Sequence, residues 1–402
     1  MNHKKPPNVL FVIASLRGGA AEHLIYLLEH CCALGMGVYL VAPDDCPATT
    51  EKINAIFRCE KNNDRAGNPG WFKVPLHKRW CPTGAAQIAE ILMREKIDLL
   101  HMHGIRAGYY GRSALRKARG KGCSAKSLYT IHGFHTAHYS NPLLRRLAFW
   151  QEKRLFQKLT DGIIFVCEED RRLFESSLRI EQAIIHRKCR VIPNAVRPLD
   201  PKSLPPKSEA RRILNLPQDA FVISSLSRFN PQKAVHLLLE AGARLKTNIP
   251  EAHFILAGDG PLQCQLKSLA RSLGMADKVH FLGYRNDVLN VYAATDVLAL
   301  TSRWEGLPLV LLEGASLGIP MVASDIPGSR DVLTHGKTGL LFEKDQVGSL
   351  VDCLRRLHDD PPFAAQLGQE ARREIPMRFS LEKMLGETVD FYRQLLNNDS
   401  SH

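Results

Sequence analysis

Short apolar runs alternate with longer segments of helical period along nearly the whole chain, and the alternation occurs twice. In the first half the apolar runs are Asn8–Ser15, Val38–Pro43, Asp98–His103, Leu128–His132, Gly162–Cys167 and Arg190–Pro193. Helical periodicity marks Ala20–Leu34, Gly84–Arg94, Leu143–Leu159 and Glu168–Ser177. In the second half, strands are expected at Phe221–Leu226, His253–Gly258, Val279–Leu282, Asp296–Leu300, Met321–Ser324 and Gly339–Phe342. Helices are expected at Ala234–Leu245, Leu262–Leu273, Leu309–Leu317 and Gly348–His358, and a last one at Leu381–Leu396. This pattern implies α/β architecture with parallel sheets covered by helices on both faces. Residues 197–208, RPLDPKSLPPKS, hold four prolines and read as a boundary. The chain therefore reads as two Rossmann-like domains, 1–197 and 198–380, followed by a terminal helix within 381–402. Ligands of such sheets bind beyond the carboxyl ends of the strands. The cleft between two domains facing each other is then the expected site.

Composition fits this frame. A chain of 402 residues, 45% hydrophobic and 24% charged, can build two full cores. No apolar run reaches the roughly 20 residues of a spanning helix; the longest, Leu307 to Ala323, is broken by Glu313 and Pro320. The two lysines and apolar residues at the N-terminus read better as the start of a buried strand than as an export signal. Ten cysteines without CxxC spacing read as reduced thiols of a cytoplasmic protein. Residues 1–200 hold 31 Lys and Arg against 18 Asp and Glu, so the whole net charge of +13 lies in the first half. A solvated basic surface explains this, as does an anionic acceptor or an anionic membrane surface. Nucleic acid is not expected, because no basic motif interleaved with aromatics is present.

The residues that carry chemistry lie where strands end. Glu305 and Glu313 stand eight positions apart in LTSRWEGLPLVLLEGASLG. Glu313 is flanked by Leu311, Leu312, Gly314 and Ala315, and a carboxylate there is costly unless something hydrogen-bonds to it. Pro308 suits a helix start, so the N–H groups near Leu309 and Val310 lack partners within the helix. That combination suits a ligand with both hydroxyls and phosphates. Arg228 and Lys233 follow the strand Phe221–Leu226, where two cations suit a diphosphate. Gly18 and Gly19 lie in a strand-to-helix turn that lets backbone N–H groups approach phosphate, although a plain tight turn explains them equally well. Gly283, in LGYRNDV, could offer backbone to a base edge or serve as a simple turn. His101-Met-His103 and His132-Gly-Phe-His135 end two strands of the first half. An HxH pair can bind metal, but no acidic third ligand accompanies it. His132, at the expected cleft, ranks highest for catalysis.

Taken in order, these motifs resemble a family 4 glycosyltransferase of the GT-B fold along nearly the whole chain. The resemblance runs through Gly18-Gly19, HxHG (His101–Gly104), HGFH (His132–His135), VIPNAV (Val191–Val196) and SRFNPQK (Ser227–Lys233). It continues through AGDGP (Ala257–Pro261), LGYRNDV (Leu282–Val288), EGLPLVLLE (Glu305–Glu313), GIPMVASDIPGSRDVL (Gly318–Leu333) and GKTGLLF (Gly336–Phe342). It implies a retaining transfer of a hexose-type sugar from a UDP- or GDP-linked donor to a glycan or lipid-linked acceptor in cell-surface polysaccharide synthesis. The donor would bind the second domain and the acceptor the first. Glu313 would hold the ribose, and Arg228 and Lys233 the diphosphate, helped by Gly18, Gly19 and amides near Leu309 and Val310, with Gly283 on the nucleotide side. Glu305 would contact the donor sugar, His132 would lie beside the anomeric carbon, and His103 and His135 would face the acceptor. No metal or other cofactor is implied. The final helix would cross back to the first domain. The enzyme would be cytoplasmic, peripheral on the inner face of the plasma membrane through its basic first domain. Ser227, Ala234, Ala195, Thr301 and Asp331 depart from the family's usual residues, with glycine usual at 234. A sugar-nucleotide epimerase or hydrolase on the same frame, or a non-catalytic sugar-nucleotide-binding protein, are the alternatives.

Overall fold

A computed structural model describes residues 6–59, 70–76, 81–139 and 141–397, apart from the side chain of Cys59. The chain forms two compact units: one runs up to Asn194 and takes in the chain from Glu382 onward, and the other is Ala195–Leu381.

The first unit contains β1 (Asn8–Ile13), β2 (Gly37–Ala42), β3 (Trp71–Lys73), β4 (Leu99–His103), β5 (Lys126–Ile131), β6 (Gly162–Phe165) and β7 (Cys189–Val191). They form one sheet in the order β3-β2-β1-β4-β5-β6-β7, parallel throughout. Its central strands are covered on both faces, so they read as unbroken apolar runs rather than alternating ones. β3 escapes the sequence pattern because it is three residues at an edge. The helix Gly104–Arg119 was likewise not expected. Its apolar stripe is interrupted by Arg112, which is buried and forked onto Glu152 at 2.7 and 2.8 Å. The helix Leu381–Asn397 belongs to this unit. Its Tyr392 hydroxyl bonds His101 Nδ1 at 2.6 Å, and its Phe391 and Leu395 pack against Gly162.

The second unit contains β8 (Phe221–Leu226), β9 (Ala252–Ala257), β10 (Val279–Gly283), β11 (Val297–Leu300), β12 (Met321–Ser324) and β13 (Leu340–Phe342). Their order is β10-β9-β8-β11-β12-β13, again all parallel. The division between the units falls after Asn194, earlier than the proline-rich stretch suggests. That stretch is joined to the second unit: Leu199 N–H donates to Ser316 Oγ at 3.1 Å, and Ala195 and Val196 just before it are buried. Nine cysteines are free thiols, and Cys59 is the one outside the described side chains. No described helix is long and apolar enough to cross a membrane.

Candidate functional site

In each sheet the chain winds outward in both directions from one central pair: β1 and β4 in the first, β8 and β11 in the second. The carboxyl ends of such a pair form the crevice in which ligands of open α/β sheets bind. The sequence places Gly18, Gly19, His103, Arg228, Lys233 and Glu305 at or just after the ends of these strands.

In the second unit, β8 leads into Ser227–Lys233 and β11 into Thr301–Pro308. The two loops are stitched together. Thr301 Oγ1 donates to the Lys233 carbonyl at 2.8 Å, Arg303 N–H to the Gln232 carbonyl at 2.7 Å, and Gln232 Nε2 to the Trp304 carbonyl at 2.8 Å. Lys233 Nζ forms an ion pair with Glu305, whose Oε1 also accepts from Ser302 Oγ at 2.5 Å. Gln232 Nε2 approaches the other carboxylate oxygen at 3.5 Å. Glu305 is thus nine-tenths buried yet ringed by donors, which offsets its desolvation. Arg228 is exposed on the same loop. Ala234 closes the loop at φ 44°, in the left-handed region that favours the glycine expected there.

Glu313 lies on the helix Leu309–Leu317, which starts after Pro308 and ends at Gly318 in a left-handed cap. Its carboxylate accepts from the Tyr292 hydroxyl, an interaction the sequence did not suggest. Burial and the adjacent carboxylate push Tyr292 far above the usual phenol range, so it stays a donor. The first-turn amides of this helix, at Leu309 and Val310, have no acceptor within it and suit an anion. Gly283 ends β10, and its carbonyl already accepts the Gly258 N–H at 2.7 Å. Gly328 touches the Glu305 segment so closely that a Cβ there would sit 2.4 Å from the Gly306 carbonyl oxygen.

In the first unit, Asp45 shapes the loop after β1 by accepting from Ser15 Oγ at 2.6 Å and Leu16 N–H at 2.8 Å. Gly18, at φ 81°, caps the helix Gly19–Ala33. That helix brings His23 to His103, at the end of β4, and to His132, just beyond β5. His103 Nδ1 and His132 Nε2 are 3.2 Å apart, and the His23 ring centre lies 4.9 Å from that of His132. Burial drives all three below the ordinary imidazole range, His23 to about 4, so they are neutral at pH 7. His101 faces the other way, bonded to Tyr392 and, at 2.7 Å, to Thr130. His132 is half-buried, with its Nδ1 buried. His103 is only 2% exposed, packed between His101 and His132. His135 opens a single 3-10 turn and is half-buried.

His23 was missed because one histidine in an amphipathic helix carries no signal of its own. His23, His103 and His132 offer nitrogens within 4.8 Å of one another, the ligand count of a divalent site. That group contains no carboxylate, and His103 and His132 already bond each other. A cation held there would be buried without charge compensation.

Comparison with known proteins agrees with this fold. Two family descriptions match in tandem: Glycosyltransferase Family 4 over residues 17–198 and Glycosyl transferases group 1 over residues 206–374. The UDP-Gal:alpha-D-GlcNAc-diphosphoundecaprenol alpha-1,3-galactosyltransferase of Escherichia coli is 30% identical over 317 residues, covering 77% of this chain and 78% of that protein. A GDP-mannose-dependent monoacylated alpha-(1-6)-phosphatidylinositol monomannoside mannosyltransferase of Corynebacterium glutamicum is 28% identical, covering 77% and 79%. The crystal structure of Anabaena HepE with UDP and glucose superposes with a TM-score of 0.79 at 20% identity, over 96% of this chain and 100% of that one. WaaG, a glycosyltransferase involved in lipopolysaccharide biosynthesis, gives 0.73 at 17% identity, over 95% and 99%. The chain belongs to glycosyltransferase family 4. It is a glycosyltransferase, and its two Rossmann-like units have the GT-B fold.

Proposed function

We propose that this enzyme moves a hexose-type sugar from a UDP- or GDP-linked donor to a glycan or lipid-linked acceptor of cell-surface polysaccharide synthesis, with retention at the anomeric carbon. The observation that carries this reading is the Lys233–Glu305 pair, stitched between the two loops at the switch point of the second sheet. The donors named for the relatives from Escherichia coli and Corynebacterium glutamicum support the nucleotide classes.

The proposed roles follow from chemistry. Departure of a nucleoside diphosphate builds negative charge. Exposed Arg228 offers a fork of N–H donors, Lys233 a compact cation, and the amides at Leu309 and Val310 a helix dipole. Groups placed in advance stabilise that charge without reorganising. This set supports a reaction that needs no metal. Glu313, held by Tyr292, accepts from the two ribose hydroxyls, and Glu305 from hydroxyls of the donor sugar. In the first unit, neutral His132 bonds a sugar hydroxyl as a polar, uncharged partner, while Gly18 and Gly19 offer backbone N–H to phosphate. The acceptor hydroxyl attacks on the face the diphosphate leaves and passes its proton to a phosphate oxygen, so no protein nucleophile is required. The enzyme acts in the cytoplasm, drawn to the inner face of the plasma membrane by the basic excess of its first half.

The test is a panel of UDP- and GDP-sugars with a polyprenyl-diphosphate-linked sugar acceptor, with thermal shift reporting donor binding. Transfer of one donor sugar, with the α-linkage retained by NMR, is the expected result. Donor consumption without acceptor, yielding free or epimerised sugar, would replace transfer by hydrolysis or epimerisation. Donor binding without turnover would leave a non-catalytic binding protein.

A further inference from the structure

The helix Pro142–Leu159 is anchored by its second half alone. Of its 18 residues only Glu152 and Phe156 are buried, with Phe149 packing on Phe134 at 5.9 Å. Its first half stands clear and is well started: Pro142 occupies the first turn, and Asn141 Oδ1 accepts from the N–H of Leu143 at 2.9 Å and of Leu144 at 3.1 Å. That first half presents large apolar side chains to solvent: Leu143 is 77% exposed, Leu144 57%, Leu147 58% and Trp150 58%. At about 100° per residue, Leu143, Leu147 and Trp150 fall on one stripe, opposite the stripe of Glu152 and Phe156. Four such residues on one surface helix form a patch, not scattered exposure.

The charge around the patch has one sign. The helix carries Arg145, Arg146, Lys153, Arg154 and Lys158, and its single acid, Glu152, is buried and neutralised by Arg112. Arg154 lies over the Trp150 ring, 5.6 Å from its centre. Between residues 101 and 150 the chain has nine Lys or Arg and no Asp or Glu. A second copy of this surface would set like charges against each other. An anionic bilayer offers the complement to both features: acidic headgroups for the cations and acyl chains for the leucines, with tryptophan suited to the boundary between them.

We propose that the helix Pro142–Leu159 is the membrane-docking element of the enzyme, with Leu143, Leu144, Leu147 and Trp150 entering the headgroup–acyl boundary of an anionic lipid surface while Arg146, Arg154 and Lys158, which flank that stripe, bind the headgroups. This deepens the reading of a lipid-linked acceptor at the inner membrane face and rests on it. Docking by insertion also differs from attraction by the diffuse basic charge of the first half, because insertion survives salt that screens charge.

The experiment uses the full chain and sucrose-loaded vesicles of phosphatidylcholine, with or without roughly 30 mol % phosphatidylglycerol. The wild type should pellet with the anionic vesicles and show a blue-shifted tryptophan emission that Trp150→Phe removes. Leu143→Ser/Leu147→Ser/Trp150→Ser should weaken partition by about tenfold or more, and Arg146→Gln/Arg154→Gln should weaken it at low salt. Because all the substituted side chains are exposed, unchanged thermal unfolding and unchanged transfer to a detergent-dispersed acceptor should accompany both losses. Equal binding by the serine variant would overturn the proposal, as would equal binding to neutral vesicles. A concentration-dependent dimer that the serine variant abolishes would also overturn it, by making a second copy the occupant. Vesicle binding intact in an enzyme that transfers no sugar would instead defeat the proposed reaction and leave the docking element standing.

Discussion

Gly328 lies in the helix Pro327–Val332 and packs against the segment that carries Glu305. A Cβ at this position would lie 2.4 Å from the Gly306 carbonyl oxygen and 2.9 Å from that of Glu305. Contacts under 3.0 Å are not sustained, so Gly328→Ala must separate the two segments by 3.0 − 2.4 = 0.6 Å. Both partners are backbone, and no side-chain rotation absorbs the shift. Part of it falls on the loop whose Glu305 is fixed by Lys233 and Ser302. A displacement of about 1 Å in a positioned group can cost on the order of 100-fold in rate, so roughly a tenfold fall in kcat is expected here. The assay is initial-rate transfer over a range of donor concentrations, with thermal unfolding measured alongside. Gly386→Ala is the control: its Cβ meets open space in the helix Leu381–Asn397, and it should gain about 0.5–1 kcal/mol with kcat unchanged. Wild-type kcat in Gly328→Ala, at unchanged Tm, would refute the reasoning that the Glu305 loop is held in place for the reaction.

Tyr292→Phe removes the donor that holds Glu313; donor KM should rise several-fold, about 1 kcal/mol, with kcat little changed, measured by steady-state kinetics. Ala234→Gly relieves a left-handed backbone at φ 44° and should stabilise the second unit by up to about 1 kcal/mol in denaturant unfolding. Glu152→Ala leaves the buried Arg112 guanidinium without its carboxylate; a loss of about 3–5 kcal/mol is expected from the first unit, and a loss below about 1 kcal/mol would contradict a charged, dry pair. His23 titrates near 4 when folded and near 6.5 when unfolded, because burial outweighs its bond to Asn194. Protonation therefore favours the unfolded chain: the stabilisation is whole above pH 6.5 and falls, by about 3 kcal/mol for this group, as pH drops toward 4. A Tm that stays flat across that window, or that falls as steeply in His23→Gln, would contradict it.

Much of the fold is legible because its breaks are chemically marked. The helix Leu309–Leu317 is bounded by Pro308 and Gly318, and the strands Phe221–Leu226 and Met321–Ser324 are apolar runs between polar loops, so their limits can be read to the residue. The helix Gly104–Arg119 could not be read this way. Its buried face includes glycines and an arginine whose charge is cancelled by a residue 40 positions later. The site shows the same division. Glu305, Arg228, Lys233 and His132 stand out as charged or polar residues just beyond strand ends, and Glu313 as a carboxylate among the apolar residues of a helix, where each has few structural reasons to be. Their partners do not. Tyr292 is one aromatic in a short helix, and His23 is brought to His103 and His132 only by the order β1-β4-β5.

The pairing of Lys233 with Glu305 alters how the two residues must be understood. Treated separately, Lys233 is a cation free for the diphosphate and Glu305 a carboxylate free for the sugar. Joined, they are a neutral unit, and a diphosphate that drew Lys233 away entirely would strand a nearly buried carboxylate. Lysine carries three N–H donors and Glu305 occupies only one, so sharing is chemically open while transfer is not. In the proposed site, the cation that would meet the diphosphate without giving up an ion-pair partner is exposed Arg228. In that proposed site Lys233 would act through Glu305, fixing the carboxylate at the sugar end while lending its remaining donors to phosphate. On this argument Arg228→Ala should act mainly on donor affinity and Lys233→Ala on both affinity and turnover, which separates the two cations that the sequence alone left equivalent.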